Sequence, residues 1–313
     1  MTISNLLNPL NSTKLIALDK FLDEMVGLYN ANKFPKVLLL NGKKGIGKFT
    51  LVIHFLNYIF TKQEKEPYNI NNKEIITDSA FYNQLIEGTN QDVLLIKTEE
   101  NMNIKIDDVR NLKSILSRSS LSSNPRFIIF DEVEFINENS GNALLKSIEE
   151  PSSNNFFILI NNQQADLIQT ISSRCLINNI FLNSSENNTI IKYLLENNKI
   201  ENLLDLNCDL SPGLYIRFNE IFLKLKIDKN DNILTKINKL LNEYKKSKNK
   251  ILINLTLFLI DQYFIKSAKN DKKRLDFLLT VKSDITKNIN DFIKYNLNIN
   301  SVLSLIEIKL NNV

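Results

Sequence analysis

The sequence predicts an α/β fold: a parallel five-stranded sheet with helices on both faces, followed by an all-helical remainder. Three observations carry this. Short, unbroken apolar runs recur through the first half of the 313-residue chain. Amphipathic helical patterns alternate with them. After about residue 183 the apolar runs cease and only helical patterns continue.

Val37-Leu38-Leu39-Leu40 is the first run, and it stops at Asn41-Gly42. Residues 93–96, 127–130 and 156–160 give the next three, and 176–181 a weaker fifth. Continuous rather than alternating apolar character suits strands covered on both faces. Helical patterns fall between them at 51–60, 106–116 and 140–150. In the last, Leu144, Leu145 and Ile148 share a face, and Pro151 ends the helix. Strands alternating with helices imply three layers. The polar stretch 61–73 reads as a surface loop. Residues 183–228 read as short helices around a turn at Ser211-Pro212-Gly213. Longer helical patterns follow at 233–244, 250–266, 273–279, 285–295 and 302–310. The predicted domains are therefore 1–182, 183–228 and 229–313.

Composition bounds the function. With 43% hydrophobic and 24% charged residues, the chain can build real cores. A net charge of +4 is too mild for a free-standing nucleic-acid binder with a concentrated basic face. Cys175 and Cys208 cannot make a four-thiolate zinc site, and they suggest a reducing, cytoplasmic setting. Residues 1–20 have no apolar core of the signal-peptide kind. The most apolar stretch, 251–265, contains Asn254, Thr256 and Asp261 and is shorter than the ~20 residues of a membrane span. It is expected to be a buried helix, with no membrane partner.

Two motifs carry chemistry. Gly42-Lys43-Lys44-Gly45-Ile46-Gly47-Lys48 lies between a strand and a helix, the context a phosphate loop requires. Glycines let backbone N–H groups converge on phosphate oxygens, and the helix N-terminus adds positive potential. Lys48 would reach the terminal phosphates of ATP. The next residue should carry a hydroxyl for Mg²⁺, but it is Phe49. Thr50 follows one place later, turned by ~100° on a helix. The second motif is Asp131-Glu132, which ends the third run. There the Asp would hold Mg²⁺ through water and the Glu would orient the attacking water. Asn161 or Asn162, ending the fourth run, could sense the terminal phosphate. Nucleotide binding is left open at this point. His54, on the helix after the loop, reads as structural. Lys245, Lys246, Lys248 and Lys250, and Lys269, Lys272, Lys273 and Arg274, read as solvated helix ends.

Longer segments then become specific. Asp131-Glu132-Val133-Glu134-Phe135-Ile136, followed by Asn142-Ala143-Leu144-Leu145-Lys146-Ser147-Ile148-Glu149-Glu150-Pro151, resembles the acidic strand end and next helix of AAA+ clamp-loader proteins. Ile171-Ser172-Ser173-Arg174-Cys175 resembles their S-R-C motif. Ile106-Asp107-Asp108-Val109-Arg110 resembles the segment before their third strand. Ser211-Pro212-Gly213 resembles the turn that carries sensor 2 in active members. Here the expected arginine position falls at Gly213, with Arg217 a turn later. The resemblance covers about residues 10–217. It points to the bacterial DNA polymerase III clamp loader, and to its delta-prime type. The gamma/tau ATPase usually keeps the hydroxyl residue and four zinc cysteines before the acidic pair. This chain has neither, so no zinc is expected, and segment 61–90 would be held by packing.

The resemblance implies an AAA+ domain, a small helical lid and a helical collar. It implies gamma/tau and delta subunits, the sliding clamp and, through the assembled complex, primed DNA as partners. Arg174, flanked by Ser173 and Cys175, would act in trans on a neighbour's ATP. The chain's own site, with Gly42, Gly45, Gly47, Lys48, Phe49, Thr50, Asp131, Glu132 and Asn161, would be vestigial. The rivals are an active gamma/tau-like ATPase, a small-molecule P-loop kinase, and an interaction protein outside replication.

Overall fold

The computed structural model describes residues 7–97, 104–116, 124–206, 208–270 and 274–311. The chain divides into two compact units, residues 1–199 with 210–216, and residues 200–209 with 217–313.

In the first unit, α1 (Asp19–Asn30) leads to β1 (Val37–Asn41), α2 (Lys48–Phe60), α3 (Ala80–Glu87) and β2 (Val93–Ile96). Then follow α4 (Ile106–Leu116), β3 (Arg126–Phe130), α5 (Glu138–Glu149), β4 (Asn155–Asn161), the short α6 (Gln169–Ser172), β5 (Leu176–Asn179) and α7 (Ser184–Asn197). The five strands pair in the order β2-β3-β4-β1-β5, all parallel. This is the predicted α/β fold with its five-stranded parallel sheet.

Strand alternation builds the three layers. Leu38, Leu40, Phe127, Ile129, Ile158 and Ile160 point to one face. There they meet Phe21, Leu22 and Met25 of α1, Val52, Phe55 and Leu56 of α2, and Phe81 and Leu85 of α3. Their sequence neighbours Val37, Leu39, Ile128, Phe130, Phe157 and Leu159 point the other way, onto Val109 and Leu112 of α4 and Leu144 and Ile148 of α5. Successive strand side chains must leave on opposite faces. An apolar residue at every position therefore demands helices on both sides. The edge strand β5 differs, with Leu176 and Ile177 exposed and Phe181 exposed just beyond it.

Besides the four-residue α6, two longer helices carry no counterpart among the sequence expectations. In α1 the buried Phe21, Leu22 and Met25 follow helical spacing. In α3 the Ser79 side chain accepts the Tyr82 N–H, and Gly88 adopts φ 68° at the C-terminal end. Both lie among polar residues that dilute the pattern.

Part of the predicted surface loop 61–73 is inside. Tyr68 is buried, its N–H donates to Thr61 Oγ1 (2.8 Å), and its ring meets His54 edge-on. His54 is fully buried. Its Nε2 faces the Ser12 carbonyl and its Nδ1 the Tyr68 hydroxyl, each at 2.9 Å. A carbonyl only accepts, so Nε2 carries the proton and Nδ1 accepts from Tyr68. The ring thus ties α2 to the N-terminal segment and the loop, a structural role.

In the second unit, α8 (Pro212–Lys224, its first turn belonging to the first unit) precedes α9 (Ile233–Ser247), α10 (Lys250–Asn270), α11 (Leu275–Tyr295) and α12 (Ile299–Leu310). Ser211-Pro212-Gly213 is a helix start and not a turn. Proline suits this first position because its missing N–H would have no helical partner. The patterns predicted at 273–279 and 285–295 form one helix. Leu278, Val281, Ile285, Ile289 and Phe292 keep one buried face through the polar residues between them. Lys272 and Lys273 lie outside the described residues; Lys245, Lys246, Lys248, Lys250, Lys269 and Arg274 are exposed. The apolar stretch 251–265 belongs to a 21-residue helix, longer than expected. By length and composition alone it could cross a membrane. Its Leu252, Ile253, Leu255, Leu259, Ile260 and Phe264 are buried, and it packs against α9 and α11.

Burial holds His54 at about 4, below its ordinary 6.5. Between these values the unfolded chain binds more protons, so the stabilisation is complete above pH 6.5 and is lost as pH falls to about 4. It amounts to on the order of 3 kcal/mol. Urea unfolding of the wild-type chain should therefore show a falling midpoint across this window. His54→Phe should flatten that fall at the cost of a lower midpoint at pH 7.

Candidate functional site

The site lies where the chain reverses direction across the sheet. β1 sits between β4 and β5, whereas β2 lies at the far edge. Loops leaving the carboxyl ends of such strands line a crevice, the usual ligand position in open α/β sheets. The phosphate loop leaves β1 here, and Asp131 and Asn161 stand at the ends of β3 and β4.

The loop has the required backbone. Gly45 and Gly47 have φ values of 83° and 93°, the left-handed region where a side chain is strained. Gly47 is the N-cap of α2. A Cβ on Gly42 would lie 2.3 Å from the Ile180 carbonyl oxygen. Lys48 is buried, and its ammonium donates to the carbonyls of Gly42 (2.6 Å) and Lys43 (2.8 Å). The helix start at Ser211 also docks on the loop. The Gly213 N–H donates to the Gly45 carbonyl (2.9 Å), and a Cβ on Gly213 would lie 3.0 Å from Gly45 Cα.

The acidic side faces lysines. Lys44 Nζ lies 2.5 Å from Glu132 Oε1, with Gln164 Nε2 3.4 Å from the same oxygen. Glu132 itself adopts φ 59°. Glu134 is buried and accepts the Asn162 N–H (3.0 Å). The Asp131 N–H donates to the Ile96 carbonyl (3.0 Å), which sets Asp131 beside Lys97 across the β2–β3 ladder. The Lys97 ammonium rests over the buried Phe49 ring, 4.6 Å from its centroid. Burial raises Asp131, as does Glu132, while Lys97, Lys44 and Lys48 oppose the rise. Burial lowers Lys97 and Asp131 opposes it. Phe49 thus places a carbon ring where a metal would need oxygen, and Thr50 is half-buried one step along α2. These residues do not fit a divalent ion. The loop backbone fits a phosphate.

Asn161 belongs to an amide ladder across three strand ends. Its Nδ2 donates to Asn41 Oδ1 (3.0 Å), and Asn41 Nδ2 donates to Asn179 Oδ1 (2.8 Å). Its Oδ1 accepts the Gln163 N–H (2.9 Å). Asn41, Asn161, Gln163, Gln164 and Asp166 help line an open cleft of about 380 Å³.

Arg174 stands apart from this cluster, just after α6. Its residue is exposed, and Ser173 beside it is exposed too. Its Nε donates to Glu149 Oε1 (2.6 Å), and its Nη1 to the Thr170 carbonyl (2.8 Å) and Ser173 Oγ (3.3 Å). Cys175 turns inward: Sγ lies 3.1 Å from the Ile171 carbonyl, and burial pushes the thiol up to about 11. It is a neutral packing thiol at pH 7. Sequence reasoning missed Lys44, Lys97 and Glu134 in the loop cluster and Glu149 beside Arg174. Lys44 and Glu134 lay inside quoted motifs. Lys97 had a signal only in its place at the end of the second run.

Among the described residues, no group of three or more His, Cys, Asp or Glu is arranged to hold a metal. The sheet order, the phosphate loop after β1 and the acidic pair after β3 define an AAA+-like α/β core. The family described as "DNA polymerase III, delta subunit" matches residues 18–184, and the chain belongs to it, within the delta-prime and gamma/tau branch of AAA+ clamp-loader subunits. The DNA polymerase III subunit delta' of Pseudomonas aeruginosa is 30% identical over 138 residues, 44% of this chain and 40% of that one. That of Bacillus subtilis is 25% identical over 271 residues, 82% of this chain and 74% of that one. For three of the delta' relatives matched, the chain spans only 40, 53 and 49% of their length. A gamma subunit-related protein of Thermotoga maritima superposes with a TM-score of 0.45 at 20% identity, covering 92% of this chain and 98% of that one.

Burial holds Lys48 at about 8, below its ordinary 10.5, against the raising pull of Glu134 and Asp131. The folded chain therefore loses this proton first as pH rises, so the cost of burying the ammonium is present below pH 8 and is relieved between about 8 and 10.5. Unfolding free energy should climb across that window by on the order of 3 kcal/mol. The climb should be missing from Lys48→Met when the two chains are unfolded in urea side by side.

Proposed function

We propose that this chain is the delta-prime-type stator of a DNA polymerase III clamp loader. Its own ATP site is degenerate, and it supplies Arg174 to the ATP held by a neighbouring subunit. The carrying observation is a loop that keeps its phosphate-binding backbone at Gly42, Gly45 and Gly47 but has Phe49 at the metal-binding hydroxyl position. Lys48 turns to its own loop carbonyls, and the resemblance puts the expected sensor 2 arginine position at Gly213. These features support a rigid surface for others in place of turnover.

The proposed partners are the gamma/tau and delta subunits, the sliding clamp and, through the complex, primed DNA, all in the cytoplasm. The proposed division is an AAA+ domain (1–182), a lid (183–228) and a collar (229–313). Exposed Leu275 and Leu279 on α11, and Leu305 and Ile308 on α12, support a collar that packs against other chains.

For Arg174 the supporting geometry is a guanidinium at the surface. A guanidinium presents an always-charged planar fork suited to phosphate oxygens. Its pair with Glu149 is solvent-facing and of the kind usually worth ~1 kcal/mol or less. It can therefore be exchanged for a partner's phosphate. The second reading is that Arg174 only caps Thr170 and pairs with Glu149 within its own chain, and its three hydrogen bonds favour it.

Assembly with Arg174→Ala separates these readings. Trans action predicts normal assembly but reduced clamp- and DNA-stimulated ATP hydrolysis, with the one site that Arg174 serves slowed by about 10³-fold or more; unchanged hydrolysis leaves only the capping role. Titration of the isolated chain with a fluorescent ATP analogue should show weak or no binding and no turnover. Tight Mg²⁺-dependent binding with steady hydrolysis would instead establish the gamma/tau-like ATPase.

A further inference from the structure

The degenerate loop has not simply lost a metal. Three carboxylates, Asp131, Glu132 and Glu134, converge on the end of the sheet beside it. Three ammonium groups of the same chain answer them. Lys44 pairs directly with Glu132. Lys48 lies within the field of Glu134 and Asp131. Lys97 extends from the end of β2 next to Asp131, and Phe49 forms its seat.

We propose that Lys97, seated on the Phe49 ring, takes the place of the divalent cation against Asp131, so that this site is neutralised from within and needs no metal. The physics of the seat supports it. An ammonium above an aromatic face is attracted by the ring quadrupole. A hydroxyl at position 49 would offer it no such face, and a divalent ion would be repelled by a fixed positive charge at the same place. Phe49 and Lys97 therefore form one replacement: the ring removes the oxygen ligand, and the lysine supplies the charge. Three lysines facing three carboxylates leave no net negative charge to attract Mg²⁺. Any phosphate entering the loop would meet ammonium groups directly, and its affinity would be indifferent to divalent ions. This rests on reading the loop as a phosphate site that has lost its metal. Its test uses the isolated chain without nucleotide, so it fails independently of the Arg174 experiment.

The experiment is a thermal-unfolding cycle of the full chain with Lys97→Met, Asp131→Asn and both, each with and without millimolar Mn²⁺. Lys97→Met alone should lower Tm by about 2–4 °C, the shift that a lost interaction gives in a unit of this size. In the Asp131→Asn background the same change should cost clearly less, only the contact with the Phe49 ring being lost. Mn²⁺ should recover part of the loss in Lys97→Met and leave the wild type and the double variant unmoved. Additive losses would overturn the proposal. So would a wild-type chain stabilised by Mn²⁺ as much as Lys97→Met, or a Lys97→Met chain that Mn²⁺ does not stabilise. Lys97→Arg, which keeps the charge and the ring contact, should behave as wild type.

Discussion

The Lys48 ammonium, bonded to the carbonyls of Gly42 and Lys43, is the interaction on which the architecture of this site depends. It closes the loop between β1 and α2 upon itself. The same side chain lies in the combined field of Asp131, Glu134 and Lys44, so it connects the loop to the acidic end of β3. A buried lysine is costly unless its protons find acceptors. Here two carbonyls accept them, and the charges of Glu134 and Asp131 favour the ammonium from a distance. The left-handed glycines at 45 and 47 let the rest of the loop turn tightly into α2.

Around that centre the chain is organised as charge in balance. Glu132 is paired with Lys44, Lys97 stands near Asp131 at the end of β2, and Asn161, Asn41 and Asn179 tie three strand ends together with neutral amides. Gly213 packs its backbone onto Gly45, where a side chain would collide. Arg174 differs, being exposed and held by contacts that solvent can weaken.

Much of this was legible in the sequence, for identifiable reasons. Unbroken apolar runs betrayed strands buried on both faces, and the two clusters on either side of the sheet show why each position had to be apolar. The loop glycines and the acidic pair were visible because their spacing is rigid. Lys97 was not, since its meaning depends on β2 pairing with β3, a contact between residues about 35 apart in sequence. Glu149 lies within a recognisable motif, but its bond to Arg174 arises only when α5 and α6 pack together. The apolar pattern of α11 is interrupted by the polar residues Lys282, Ser283 and Asp284. Packing of Val281 and Ile285 overrides that local signal.

The position of β1 has a mechanical corollary. One edge of this strand carries β4, the other carries β5, and its end launches the phosphate loop. Arg174 is anchored two residues before Leu176, which pairs with Leu38 of the same strand. Gly42 and Arg174 therefore hang from opposite ends of one hydrogen-bonded ladder. A one-residue slip between β1 and β5 would therefore displace the loop and the arginine relative to each other.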